Sequence, residues 1–194
     1  MTDETEPTHP RLNRPTTGLL AWQFTIGYIS AEYSPDATLT LRVQPDEAEA
    51  VMWDASVAWG QKKEFVEQQA TLSDALRRLW REVKRNHRVF KSLDASVRQP
   101  ADYGADEWLD EETQRSLDRL IELTSDALET DWHIIIIYQS VENPDLRVRA
   151  RLLAKESTVH IGGRGPSIRE ACRDLYYNAA PEYFSSKQDE NFPE

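Results

Sequence analysis

A chain of 194 residues with six Trp, seven Tyr and five Phe among 39% hydrophobic residues holds enough apolar side chains for one sizeable core or two small ones. Its formal net charge of −11 argues against a molecule wrapped in cations for nucleic acid or anionic lipid, because phosphate neutralisation needs clustered Lys and Arg. No apolar run reaches the length of a membrane span, the acidic start Met1–Glu6 is unlike a secretory signal, and the single cysteine excludes an internal disulfide, so a cytoplasmic protein is expected.

Residues 1–17 are rich in Thr and Pro and lack apolar periodicity, which predicts a disordered tail. From residue 18 to 91 the pattern predicts a first β-meander and helix. Leu20, Trp22, Phe24, Ile26 and Tyr28 alternate with Ala21, Gln23, Thr25 and Gly27, the spacing of an N-terminal strand. Ser34-Pro35-Asp36-Ala37 reads as a turn, and Leu39, Leu41 and Val43 mark a strand over 38–43. Val51, Trp53, Ala55, Val57 and Trp59 give a long strand with one apolar face, and Lys62–Glu67 returns as a short one. Thr71 then opens a helix to about Asn86. Its outer face carries Arg77, Arg78, Arg81, Lys84, Arg85 and Arg88, and is expected to be solvated or to pair with the acids that follow. Residues 92–131 form a linker containing Pro100 and Gly104 and then an acidic helix, with Leu117, Leu120, Ile121, Thr124 and Leu128 on one stripe.

Residues 132–180 predict a second meander and helix. Trp132–Tyr138 is a continuous apolar run, as for a strand buried on both faces. Asn143-Pro144-Asp145 turns the chain. Leu146, Val148, Ala150 and Leu152 alternate with Arg147, Arg149 and Arg151, and Thr158–Ile161 makes a short third strand. Gly162-Gly163-Arg164-Gly165-Pro166 reads as a loop into the last helix, and 181–194 as a polar tail.

One ten-residue pattern occurs twice. Thr71-Leu72-Ser73-Asp74-Ala75-Leu76-Arg77-Arg78-Leu79-Trp80 returns as Ser167-Ile168-Arg169-Glu170-Ala171-Cys172-Arg173-Asp174-Leu175-Tyr176. Each copy opens with a capping box, in which the hydroxyl accepts from the amide three residues on and the acid reaches back. Each then places apolar residues at i, i+3, i+4, i+7, i+8 and i+11: Leu72 to Val83 in the first, Ile168 to Ala179 in the second. The strands that precede each copy match in order. The expected fold is therefore α+β: two antiparallel three-stranded meander-plus-helix units related by internal duplication, with an extra N-terminal strand and a connecting acidic helix.

A meander followed by a helix beginning Thr71-Leu72-Ser73-Asp74-Ala75-Leu76, with Trp53-Asp54-Ala55 in the second strand, resembles the HicB-like antitoxin unit. The order of elements is also similar to the core of the double-stranded RNA-binding domain. The resemblance implies a β-β-β-α fold and assigns no site residue, since one fold hosts many activities. Where the HicB-like pattern has Gly-Asp before the Thr, Gln69-Ala70 and Gly165-Pro166 precede the two caps here.

His9, His87, His133 and His160 are scattered without ligand spacing, so no metal and no cofactor are expected. Cys172 with His160 suggests a nucleophile, but Cys172 holds the place of Leu76 on an apolar face and reads as core. Trp53 and Trp59 could stack bases, and on alternating strands they read as core. The carboxylates of 106–131 lie on a polar helix face with nothing to raise a pKa. The remaining candidate is an anion site. Ser167 caps a helix with free amides, Gly163 lets backbone approach, Arg164 offers a bidentate donor, and Arg147, Arg149, Arg151 and His160 extend the positive field. Three readings stay open: a non-catalytic protein-interaction or regulatory module, whose partner is another protein or a second copy; a binder of a small anion or RNA through the second unit; and, last, an enzyme.

Overall fold

The computed structural model describes residues 17–91, 93, 99–104, 107–141, 147–154, 160–184 and 192. The elements run α1 (Gly18–Glu32), β1 (Thr38–Pro45), β2 (Val51–Trp59), β3 (Lys62–Gln69), α2 (Leu72–Asn86), the short α3 (Arg88–Lys91), a 3-10 turn at Pro100–Asp102, α4 (Glu111–Leu128), β4 (Trp132–Gln139), β5 (Val148–Ala154), β6 (His160–Gly165) and α5 (Ile168–Tyr183). The class is α+β. All six strands form one antiparallel sheet in the order β3-β2-β1-β4-β5-β6. Each half is a meander running outward from the middle, and β1 meets β4 along Thr38↔Gln139 to Val43↔Ile134.

The two hairpins share their register. The offset that carries Thr38 onto His133 also carries its partner Ala58 onto Leu153. Ala55↔Val66 then falls on Ala150↔Gly163 once the β5–β6 connection is granted two extra residues. A bulge in β3 between Val66 and Gln69, opposite Ala55 and Trp53 of β2, takes one residue back, with Gln68 at φ 54°. The helix caps Thr71 and Ser167 therefore stand at matching ends of β3 and β6.

One face of the sheet carries the core. Leu39, Leu41 and Val43 of β1, Ala55 and Val57 of β2, Ile134 and Ile136 of β4, and Val148, Ala150 and Leu152 of β5 are all buried. Helix α2 lies over β2 and β3, α5 over β5 and β6, and α1 over the central pair. The two helical stripes read from the sequence are buried as expected: Leu76, Leu79, Cys172 and Leu175 are inaccessible to solvent. Both caps form. Thr71 Oγ1 accepts from Asp74 N at 3.1 Å and Ser167 Oγ from Glu170 N at 3.3 Å. The acids of both boxes close on the hydroxyls themselves.

The expected N-terminal strand is a helix. Thr17 caps it, accepting from Leu20 N. Its buried positions, Leu19, Ala21, Trp22, Thr25, Ile26 and Ile29, follow the spacing of a helix and not of a strand. Residues 19–29 are apolar almost all round, so alternation and helical spacing coexist in the sequence, and packing selects the helix. Trp22 decides its place. Its indole donates to Leu76 O at 3.4 Å and meets the Trp80 ring edge-on at 5.3 Å. Phe90 lies 5.9 Å from Trp80 and 5.1 Å from Trp59, so one aromatic cluster ties α1, α2, α3 and β2 together.

Three further expectations change. Strand β4 is buried on one face only, because Ile135 and Ile137 are half-exposed opposite the helices. The described part of the expected tail packs on the core: α5 passes Pro181, Phe184 is buried, and Phe192 stacks on Tyr176 with centroids 4.8 Å apart, while 185–191, 193 and 194 lie outside the described residues. Gly162–Gly165, read as a loop, is strand β6. A Cβ on Gly163 would lie 2.1 Å from Leu175 N and 2.3 Å from Ala171 O, so the missing side chain lets α5 sit directly on the sheet.

Both sheet edges are obstructed. Exposed Lys62 and Lys63 open β3, and its bulge bends the far end. Along β6, Asn178 Nδ2 donates to Gly162 O at 2.8 Å and Arg164 N donates to Asp174 Oδ2 at 2.8 Å.

Gly163→Ala will destabilise the protein by about 3 kcal/mol or more, since backbone must move to admit the methyl. Gly162→Ala, whose Cβ would meet nothing nearer than 3.6 Å, stays within about 0.5 kcal/mol of the parent. Leu79→Ala will cost about 2–5 kcal/mol. Urea unfolding of the three variants measures all three values.

Candidate functional site

The sheet face opposite the helices is the most distinctive surface. Strand alternation that sends Val148, Ala150 and Leu152 into the core sends Arg149 and Arg151 the other way. Cross-strand register then fixes the neighbours. One row reads Phe65–Ser56–Thr40–Ile137–Arg149–Arg164 across all six strands. The next reads Asp54–Arg42–Ile135–Arg151–Gly162. Of the described side chains in these rows only Asp54 is buried. Phe65 is 59% exposed.

The two wings differ in charge. On the first, Arg42 Nε donates to Asp54 Oδ2 at 2.7 Å and Asp54 Oδ1 accepts from Gln68 N at 2.8 Å, so the acid both pairs the arginine and holds the bulge. A hollow of about 360 Å³ opens here between Arg42, Lys63, Phe65, Glu67 and Ile135. On the second wing, Arg149 and Arg164 stand directly opposite each other and Arg151 faces Gly162. Like charges across a strand pair repel. Among the described residues none of these three guanidinium groups meets a carboxylate, and Arg149 Nε is sealed from solvent without an acceptor. A buried donor left unsatisfied costs about 1–3 kcal/mol.

The structure splits the residues proposed from sequence. Arg149, Arg151 and Arg164 come together on the open face. Arg147, exposed, precedes β5 and is close enough to Tyr138 to oppose the upward shift that burial gives that phenol. Gly163 and Ser167 lie on the helix side. There Glu170 receives the Ser167 hydroxyl and Asp174 receives the Arg164 amide, so carboxylates of α5 already stand where an anion was expected. The side chain of His160 lies outside the described residues.

Among the described residues no ion pair joins the basic face of α2 to the acidic helix. Arg77 donates to Tyr103 O, Lys84 to Gln99 Oε1 at 2.5 Å, and Arg85 pairs with Glu82. The acids of α4 serve Arg115 and Arg119 within the helix and Arg169 of α5. The reason is placement: α4 packs on α5 and β4, away from the exposed face of α2. Trp53 and Trp59 are core, 7% and 5% exposed. Among the described residues no group of His, Cys, Asp and Glu could hold a metal ion, and no helix is long and apolar enough to cross a membrane. Sequence reasoning found the arginine alternation but missed Phe65, Ile135 and Ile137 as its neighbours. That grouping follows from the β1–β4 pairing, which links distant parts of the chain.

Cys172 is fully buried on the inner face of α5, and loss of hydration pushes its thiol up from 9.0 to about 12. Comparison with protein-family models, with curated proteins and with solved structures yields no match.

Cys172 will therefore resist a thiol-specific reagent in the native protein and react once urea unfolds it. Its raised pKa also sets a sign. The unfolded chain loses this proton above about pH 9 while the folded one keeps it, so stability falls as pH rises from 9 towards 12. Alkaline denaturation of Cys172→Ala, compared with the parent, checks this.

Proposed function

We propose that the protein is a non-catalytic interaction module whose open sheet face binds an acidic segment of another protein. The observation that carries this is the trio Arg149, Arg151 and Arg164. The chain holds 34 acidic residues against 23 Lys and Arg, yet these three stand together without a carboxylate among the described residues. Guanidinium groups bind carboxylates bidentately. The half-exposed Ile135 and Ile137 and the exposed Phe65 beside them add apolar contact that a peptide uses and a bare inorganic anion does not. The acid elsewhere on the chain disfavours a nucleic acid as the occupant. A single buried cysteine suits the cytoplasm.

The reading includes an internal duplication. It is supported by the shared hairpin register, by the single bulge that accounts for the shift between β3 and β6, and by the twin caps. The same correspondence places Asp54 opposite Arg149 in role, so the two halves would have diverged to opposite charge on one face. Kinship with HicB-like units belongs to the same proposal, resting on the β-β-β-α order of each half and on Thr71–Leu76.

Fluorescence anisotropy with a labelled Asp/Glu/Leu peptide tests the reading. Binding is expected to weaken as salt rises and to fall by at least about tenfold when Arg149, Arg151 and Arg164 are replaced by Glu. Equal binding by that variant ends the proposal. Tighter binding of duplex RNA, lost in the same variant, would move the module to nucleic acid.

A further inference from the structure

A second surface lies on the helix side of the sheet. A cleft of about 1060 Å³ runs between α4 and the start of α2. From Glu111 to Ser125 one stripe of α4 lines it, with Leu117 and Ile121, the acids Asp118 and Glu122, and one cation, Arg115. The stripe extends roughly 20 Å, about four turns. Opposite stand Val51 and Trp53 at the head of β2 and Thr71–Ser73 at the head of α2, with Trp108 and Leu109 at one end.

From this geometry we infer that the cleft docks one amphipathic helix of a basic partner protein. Three features specify that occupant. The floor is apolar and incompletely covered: Val51, Leu109 and Ile121 are half-buried around Trp53. The rim is acidic. Glu111 pairs with Arg115 and Glu122 with Arg119, while Asp118 receives only the Gln114 amide and meets no cation among the described residues. The positive end of α2 offers no anion site here, because the Asp74 carboxylate already holds the Thr71 hydroxyl. An apolar floor a few turns long with acid along its rim matches a helix that carries apolar residues at i, i+4 and i+7 and lysines beside them.

The surface is separate from the arginine face, on the other side of the sheet, so the two readings fail independently. The probe is a Leu/Lys peptide designed as an amphipathic helix. A peptide of the same composition, scrambled to remove the apolar face, serves as control. Calorimetry should give saturable binding of the first, with the scrambled peptide at least about tenfold weaker. Amide shifts in NMR should begin at Thr71–Ser73 and along 114–125. Ile121→Asp should lose at least about tenfold in affinity, and so should Asp118→Lys, an exposed position whose change leaves the core alone. Replacing Arg149, Arg151 and Arg164 by Glu should leave this binding within twofold. Equal affinity for the scrambled peptide, full affinity in Asp118→Lys, or no binding of the amphipathic peptide overturns the proposal.

Discussion

The antiparallel pairing of β1 with β4, from Thr38↔Gln139 to Val43↔Ile134, joins halves of the chain that lie about a hundred residues apart in sequence. A lone three-stranded meander with one helix buries little. Joined, the two present a continuous apolar surface on which α1, α2 and α5 sit side by side. Leu41 lies against Ile136 at the middle of this seam, and both are buried. Everything placed on either face depends on that register, because a slip of one residue would turn the core outward.

Among the described residues every helix packs on one side of the sheet, and none covers the other face. Its wings have solved the same exposure differently. Asp54 is bound by Arg42 and by the bulge amide of Gln68, and so belongs to the architecture. Arg149, at the matching register position in the second wing, meets no carboxylate among the described residues, and its Nε has no acceptor. Electrostatic repulsion between Arg149, Arg151 and Arg164 is a cost the fold does not need, since two-residue spacing along β5 would accept Thr or Ser as readily. That asymmetry is the reason to look for a ligand there.

Much of the local structure could be read from the chain. Thr71 and Ser167 announced the helices, and every position of the two apolar stripes is buried, because capping and a strong helical period are local signals. Helix α1 was not legible, because residues apolar on all sides fit both periods and only the docking of Trp22 against Leu76 and Trp80 separates them. Gly163 was read for a ligand and serves a helix. Close backbone approach is what its absent side chain permits, and sequence does not say by whom. The arginines showed in the alternation of β5, but their apolar neighbours on β3 and β4 come from long-range pairing that no local pattern carries.

The two outer strands end the sheet by different means. Lysines and a bulge guard β3, while Asn178 and Asp174 reach over from α5 to occupy a carbonyl and an amide of β6. A third meander added in tandem would find neither rim ready to receive it. The same blocked rims deny a template to misfolded neighbours, a service of Asn178 and Asp174 that needs no ligand.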